Sequence, residues 1–236
     1  MPAFFEAYIT NLGKYDEGAL VGEYLKFPTT TEEVQALLKR IGIDGVRYEE
    51  IFITDYDGDM PGLYAHFGEY ESIDEFNYLA SLLSEMDQSE LEKFEAILET
   101  GEYSGSVKEL INLTQNLDCF EFYSGITSEE ELGRMYIQEL DAIHIPEHLI
   151  DYIDYEAYGR DVRINEGGCF SGNGYVFDNN GSFVEHYFDR EDIPDEYRVF
   201  SMPELTIRER MAAYKGVSDK AAQHSKSVPE AGRNDR

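Results

Sequence analysis

Residues 72–101, with the sequence SIDEFNYLASLLSEMDQSELEKFEAILETG, determine how the rest of the chain can be divided. Ser72 and Ser89 are each followed three residues later by a glutamate, which is the pattern of a capping box at a helix start. Behind each signal the apolar residues recur every three or four positions and so fall on one helix face. The stretch therefore predicts two consecutive amphipathic helices with no strand between them.

The same helix-start signal occurs on both sides of this stretch. The further pairs are Thr30 with Glu33, Ser106 with Glu109, and Ser128 with Glu131. A short sixth helix is expected to start at Pro146, whose fixed φ suits a first helical turn, and to continue to Tyr152. The sequence thus predicts helices before, within and after residues 72–101.

Strand signals precede and follow the helical stretch. Segments rich in β-branched and aromatic residues lie at residues 2–10, 19–27 and 47–54, and again at residues 119–123, 168–177 and 182–188. The last two are joined through the residues DNNG at 178–181, which favour a hairpin. We therefore expect one small sheet on each side of the central helices.

The order of sheet, helices and sheet is typical of an α+β protein and predicts an elongated chain of three small domains. They are an N-terminal α+β domain at residues 1–70, a helical acidic middle domain at 71–104 and a C-terminal α+β domain at 105–190. Residues 191–236 are predicted to be a basic tail, partly helical or disordered, with a solvated end at 221–236.

The charge is the unusual property of this sequence. It contains 49 Asp and Glu against 19 Lys and Arg, a formal net charge of -30, far beyond the magnitude of about 2 to 8 that suits solubility in a small domain. Residues 48–133 contain 22 acids and only two bases, whereas residues 201–236 contain five acids and seven bases. Such a surface favours cationic partners and disfavours direct binding to nucleic acid or anionic lipid.

The sequence has no apolar run of the length that a membrane span needs, and its N-terminal MPAFFEAYIT lacks the basic start and long apolar run of a signal peptide. We therefore expect a cytoplasmic protein that does not enter the membrane. Its two cysteines, Cys119 and Cys169, are accordingly expected to be reduced.

Asp55, Asp57 and Asp59 copy the opening of a calcium-binding EF-hand loop. Met60 stands where that loop requires glycine, and His66 stands where it requires a bidentate glutamate. The three aspartates are therefore not expected to hold calcium.

Two other motifs invite an enzymatic interpretation. His144 and His148 have the spacing of a helical zinc pair, but Pro146 between them places His144 before the helix start. The glycines near residue 170 do not have the spacing of a phosphate-binding loop. We expect no catalytic residue, no metal site and no cofactor, so the protein is predicted not to be an enzyme.

The spacing of the acids favours mimicry of DNA. Glu92, Glu95 and Glu99 lie on one predicted helix face, opposite the apolar Phe94 and Ile97. Carboxylates four residues apart rise about 6 Å along a helix, which is comparable to the step between neighbouring phosphates of a DNA strand. At one charge per about 1.7 Å of duplex axis, a net charge of -30 corresponds to about 15 base pairs.

Three other interpretations of the acids are open. They can be ordinary solvated helix faces, although the lysines that usually follow acids four residues later on exposed helices are missing. They can serve an acidic interaction or chaperone module for basic DNA-binding proteins, which needs charge but no fixed spacing. They can belong to a carboxylate-pair hydrolase, although the chain has no Trp to form the usual platforms for sugar.

Several long segments resemble the ArdA antirestriction proteins of conjugative mobile elements. They are AYITNLGKYDEGALVGEYLKFP at residues 7–28, FITDYDG at 52–58, GEYESIDEFNYLASLLSEMD at 68–87, and IPEHLIDYIDYEAYGRD at 145–161 followed by GYVF at 174–177. Residues 82–101 are similar to that family's antirestriction motif. The resemblance covers about residues 3–188 and leaves the basic tail without a counterpart.

The resemblance implies a homodimer that mimics DNA and competes with it for the DNA-binding groove of type I restriction-modification enzymes. The surface expected to replace phosphates consists of Asp55, Asp57, Asp59, Glu69, Glu71, Asp74, Glu75, Glu85, Asp87, Glu90, Glu92, Glu95, Glu99, Glu102, Glu109, Asp118, Glu121, Glu129, Glu130 and Glu131. The dimer contact is expected at the short strand of Cys119, Phe120, Glu121, Phe122 and Tyr123, which can pair across a two-fold axis.

Overall fold

The computed structural model describes residues 3–227, without the side chains of residue 217 and residues 219–227. The predicted solvated end at residues 221–236 lies mainly outside this description. Residues 3–227 form an α+β structure with two three-stranded antiparallel sheets, so the predicted fold class is confirmed. Within this part of the chain, no helix has both the length and the apolar character needed to cross a membrane.

The N-terminal sheet has the strand order β2-β1-β3, with both pairs antiparallel. Its strands are β1 (Phe5–Asn11), β2 (Gly22–Phe27) and β3 (Ile51–Gly58), accompanied by the helices α1 (Leu12–Asp16), α2 (Thr31–Ile41) and α3 (Pro61–Tyr64). Phe5, Ala7 and Ile9 of β1 are all buried, because alternate side chains of a strand face the same side. The three strands predicted here are confirmed, although their ends are shifted.

The middle of the chain is helical, with α4 at Ile73–Glu85, α5 at Gln88–Thr100 and α6 at Val107–Thr114. The apolar residues that recur every three or four positions are buried or half-buried in each helix. The two consecutive helices predicted for residues 72–101 are therefore confirmed.

Four of the five predicted helix starts are confirmed. The side chains of Thr30, Ser72, Ser106 and Ser128 each accept a hydrogen bond from the backbone N–H three residues later. The start predicted at Ser89 is wrong, because α5 begins two residues earlier. There Asp87 and Glu90 form the capping box, and an ionised carboxylate interacts favourably with the positive end of a helix.

The C-terminal sheet has the strand order β4-β6-β5 and is again antiparallel. Its strands are β4 (Phe120–Ser124), β5 (Cys169–Phe170) and β6 (Gly174–Asp178). Helix α7 (Glu129–Arg134) continues into a π-helical turn at Met135–Glu139, and α8 (Tyr155–Glu166) precedes β5. The predicted sixth helix is a 3-10 helix at Glu147–Tyr152 that begins after Pro146, and the helix-start pattern does not predict α8.

Helices α7 and α8 touch at two buried glycines, Gly133 and Gly159. A Cβ atom added at Gly159 would lie 1.8 Å from the carbonyl oxygen of Glu129, and one added at Gly133 would lie 2.0 Å from that of Tyr155. Atoms cannot approach so closely, so this contact requires glycine on both helices. Arg163 of α8 also pairs with Glu129 of α7 at 2.9 Å.

The predicted hairpin that ends with residues 182–188 is wrong. The hairpin instead joins β5 to β6, and residues 182–188 form no strand. Two buried asparagines hold their backbone: Asn112 Oδ1 accepts from the Tyr187 N–H at 2.9 Å, and Asn116 Oδ1 accepts from the Val184 N–H at 2.9 Å. The side-chain amides of Asn112 and Asn116 thus bind backbone groups that a neighbouring strand would bind in a sheet.

Residues 182–201, which we call the strap, run over α4 and α6. Ile193 and Val199 of the strap are buried in the core, and Asn77 Nδ2 of α4 donates to the Tyr197 carbonyl at 3.0 Å. The sequence placed residues 191–201 in the tail, but the structure packs them against the helices. Helix α9 (Ile207–Ser227) follows the strap.

One cluster of buried apolar side chains runs from Phe5 in β1, through α4, α5 and α6, to Val199 in the strap. A second, smaller cluster contains Leu132, Met135 and Tyr175. The first cluster includes residues from all three predicted domains, so their buried side chains are connected. The division into three small domains stays a prediction.

Candidate acidic interaction surface

Most acids predicted to replace DNA phosphates lie at the surface. The exposed ones are Asp55, Asp57, Asp59, Glu69, Glu85, Asp87, Glu90, Glu99, Glu102, Glu109, Asp118, Glu121, Glu130 and Glu131. The half-buried ones are Glu71, Glu75, Glu92, Glu95 and Glu129, and Asp74 is buried. They belong to successive elements from β3 to α7, so the acidic surface extends over much of the chain.

Few of these acids have a cationic partner. Among the residues that the structure describes, only Asp74, Glu129 and Glu130 of the predicted set form ion pairs, each with an arginine. Lys108, one of the few bases nearby, pairs instead with Glu185 at 3.5 Å. Most of the negative charge on this surface is therefore not compensated by ion pairs.

Asp74 does not belong to this surface, contrary to the prediction. It is only 1% exposed, and its carboxylate accepts hydrogen bonds from the backbone N–H groups of Val199 and Phe200, both at 2.7 Å. Arg190 Nε donates to the second carboxylate oxygen at 2.6 Å. The carboxylate fastens the strap to α4 and is too buried to meet a partner.

Glu75 also holds the strap, although it is only half-buried. Tyr187 Oη donates a hydrogen bond to Glu75 Oε1 at 2.6 Å. Burial, and then this hydrogen bond to a carboxylate, raise the pKa of the Tyr187 hydroxyl well above its usual range. The phenol therefore stays protonated and continues to donate to Glu75 at physiological pH.

The glutamates predicted to form a stripe on α5 lie next to the C-terminal sheet, with Glu99 exposed and Glu92 and Glu95 half-buried. Glu95 Oε2 accepts from Asn173 Nδ2 at 2.9 Å, and Glu99 Oε2 accepts from the Gly172 N–H at 3.0 Å. Gly172 and Asn173 lie in the turn between β5 and β6. The stripe therefore connects α5 to this sheet and fixes the direction of its carboxylates.

Other exposed acids are fixed at helix starts. Glu109 accepts from the Gly105 N–H at 2.8 Å before α6, and Glu131 accepts from the Thr127 N–H at 2.8 Å before α7. The hydrogen bonds that Glu131 accepts, chiefly the one from the Thr127 N–H, lower the pKa of its carboxyl group. With Asp87 at the start of α5, these carboxylates are surface charges and helix caps at once.

Asp55, Asp57 and Asp59 are exposed at the end of β3, an edge strand of the N-terminal sheet. Tyr24 Oη donates to Asp55 Oδ2 at 2.5 Å, and this hydrogen bond is the main cause that raises the pKa of Tyr24 to about 12. Across the described side chains, no group of three or more His, Cys, Asp or Glu is arranged to hold a metal ion.

The predicted dimer contact lies at the edge of the C-terminal sheet. Strand β4 pairs with β6 on one side, and no strand of the described chain lies on its other side. Cys119 and Phe120 are buried in the core, Phe122 and Tyr123 are half-buried, and Glu121 is exposed. A free strand edge can pair with a second strand. The dimer contact itself stays a prediction.

Further exposed acids, which the sequence analysis missed, follow α7 and extend into the first turn of α8. They are Glu139, Asp141, Glu147, Asp151, Asp154 and Glu156. In the part of the chain that the structure describes, none of them forms an ion pair. The sequence could have indicated them, because residues 139–156 contain these six acids and no Lys or Arg. The acidic surface therefore continues into α8.

Comparison with known proteins identifies the family. The model of the antirestriction protein family ArdA matches residues 7–177, from β1 to the end of β6. No curated protein matches the chain. The match covers well over half of the 236 residues and stops before the strap. The chain therefore belongs to the ArdA family of antirestriction proteins.

Proposed function

We propose that this protein is a DNA mimic that occupies the DNA-binding groove of type I restriction-modification enzymes, in their methyltransferase core. The observation that carries the proposal is the series of exposed carboxylates without cationic partners on successive elements from β3 to α7. Proteins that bind DNA contact its phosphates largely through Arg and Lys side chains. A surface of unpaired carboxylates can meet the same side chains.

The proposed inhibition protects mobile DNA that enters a cell. The protein acts in the cytoplasm and competes there with DNA for the enzyme. It blocks restriction and, less completely, modification. The antirestriction role of the family supports this part of the proposal.

Fixed carboxylates distinguish a mimic from an acidic interaction or chaperone module, which needs charge alone. Glu109 and Glu131 are held at helix starts, and Glu95 and Glu99 are held by the turn between β5 and β6. An exposed ion pair contributes only about 0–1 kcal/mol, so many pairs must form together. Prior fixation lowers the side-chain entropy lost when they form.

We further propose that the protein works as a homodimer joined at β4. Two edge strands related by a two-fold axis can pair and make one continuous sheet. A dimer carries twice the net charge of -30, which corresponds to the charge of about 30 base pairs at one charge per about 1.7 Å of duplex.

A competition measurement tests the proposed function. Labelled DNA with the recognition sequence is bound to a type I methyltransferase core, and the protein is titrated while the fluorescence anisotropy of the DNA is followed. We expect the protein to displace the DNA completely. Failure to displace it at any concentration would contradict the proposal.

Two variants of equal net charge separate mimicry from charge alone. The first replaces five surface acids outside the helix caps by their amides: Glu69, Glu85, Glu102, Asp118 and Glu121. The second replaces five exposed acids outside the predicted surface: Glu32, Glu49, Glu50, Glu191 and Glu196. We expect the first variant to lose competition and the second to keep it. Equal losses would favour the acidic interaction or chaperone module.

A further inference from the structure

A cavity of about 290 Å³ lies between the N-terminal sheet and α5. Its apolar lining comes from Phe4, Met60 and Leu91, and its charged lining comes from Asp59, Glu92 and Glu95. Sites for small molecules have volumes of about 300–1,000 Å³. This cavity is at the lower end of that range, so it suits a single long side chain better than a cofactor.

Two of the three cavity carboxylates, Glu92 and Glu95, are oriented by hydrogen bonds but not neutralised. Glu92 accepts from Gln88 Nε2 at 3.1 Å and from Ser124 Oγ at 3.4 Å, and Glu95 accepts from Asn173 at 2.9 Å. These donors are uncharged. No described cation forms an ion pair with the cavity carboxylates, so their negative charge is uncompensated.

Apolar and charged groups line the cavity side by side, and two of its carboxylates, Glu92 and Glu95, are half-buried. Met60 is 8% exposed, and Phe4 and Leu91 are half-buried, whereas Asp59 is exposed. A side chain that enters can therefore place a hydrocarbon stem against apolar atoms while its head remains near carboxylates. Long cationic side chains have this division between an apolar stem and a charged head.

We infer that this cavity receives an arginine side chain of the partner enzyme, an inference that rests on the proposed function. A guanidinium group has five N–H donors in a planar fork and can contact more than one carboxylate at once. It is also more weakly hydrated than the ammonium group of lysine, so it enters a half-buried site more readily. The cavity is then a local hot spot within a surface of weak, screened contacts.

Two variants of the full chain, each with one alanine replaced by tryptophan, test the inference. Ala3 is exposed and lines the cavity, so Ala3→Trp fills it without changing the charge. Ala36→Trp makes the same change at an exposed position on α2, away from the cavity. Competition with DNA for the methyltransferase core should weaken at least about tenfold for Ala3→Trp, as for the loss of a hot-spot contact. For Ala36→Trp it should stay within about twofold.

A second measurement does not depend on the enzyme. The NMR signal of the Met60 methyl group is followed while N-acetyl-arginine amide is added, with the lysine and citrulline analogues as matched probes. We expect the arginine derivative to shift the signal in the wild type but not in Ala3→Trp. The lysine analogue should shift it less, and the uncharged citrulline analogue should not shift it.

The outcomes separate this inference from the proposed function. The inference is overturned if Ala3→Trp competes with DNA for the enzyme as well as the wild type does. It is also overturned if the lysine and arginine derivatives shift the Met60 methyl signal equally. In both cases displacement of DNA by the wild type still supports the proposed function. Conversely, the arginine derivative can shift the Met60 methyl signal while the protein displaces no DNA from the enzyme. That result supports the cavity as an arginine site and contradicts the proposed function.

Discussion

Asp74 and Glu69 carry the same charge but have opposite surroundings. Asp74 is buried with three hydrogen-bond donors, and Glu69 is exposed. Asp74→Ala leaves the N–H groups of the buried Val199 and the half-buried Phe200 without an acceptor, which should lower the free energy of unfolding by about 2–4 kcal/mol. Urea unfolding measures this loss.

Glu69→Ala is the matched control for this prediction. An exposed side chain without such bonds should change the free energy of unfolding by less than about 0.5 kcal/mol. If Asp74→Ala unfolds at the same urea concentration as the wild type and instead loses competition with DNA, then Asp74 acts as a surface charge and the assignment to the strap is wrong.

The contact between α7 and α8 carries a prediction at the level of elements. Gly159→Ala forces the two helices apart, because the new Cβ would meet the Glu129 carbonyl. We expect the free energy of unfolding to fall by at least about 2 kcal/mol, which exceeds the gain of about 0.5–1 kcal/mol in helix propensity. Thermal unfolding and amide exchange in α8 can measure the effect.

Gly62→Ala is the control, because Gly62 has no heavy atom within 4 Å of the position of a new Cβ. There the same change should be neutral or should stabilise the fold by up to about 1 kcal/mol. Equal effects of the two substitutions would show that helix packing at Gly159 is less close than the structure indicates.

Elements that depend on neighbouring residues could be predicted from the sequence. A capping box needs only four consecutive residues, so Thr30, Ser72, Ser106 and Ser128 identified helix starts correctly. At α5 two signals overlap within three residues, and the pattern could not tell that Asp87 would replace Ser89 as the cap.

Contacts between distant residues could not be predicted in this way. Residues 182–188 have the aromatic and β-branched composition of a strand, but Asn112 and Asn116 bind their backbone from about 70 residues away. In the sequence Asp74 likewise cannot be distinguished from the other acids of its segment. Only the folded structure shows that residues 190–200 cover it. A charge pattern therefore predicts how acidic a surface is, but not which acids remain on it.

At the scale of the whole molecule, the proposed binding of this protein to the enzyme should be less sensitive to salt than the binding of DNA is. DNA gains binding entropy by releasing counterions condensed on its dense phosphates. A folded protein carries its carboxylates at lower density and condenses fewer ions. We therefore expect the protein to displace DNA from the enzyme better at moderate than at low salt.

Titrating the protein against the enzyme–DNA complex at several salt concentrations measures this dependence. Association should also slow as salt rises, because the Debye length shrinks to about 8 Å at physiological ionic strength. A competition constant that worsens with added salt would mean that charge alone, without shape, supplies the affinity.

The acids that cap helices constrain how this protein can evolve. Asp87, Glu109 and Glu131 each accept from backbone N–H groups at the start of a helix, so a mutation to an apolar residue removes a stabilising contact, and a mutation to the neutral amide weakens the interaction with the positive end of the helix. Selection for a folded chain thus preserves these charges even in a host without a restriction system. A lineage released from its target would lose its other acids first, and the capping carboxylates would be the last trace of its former role.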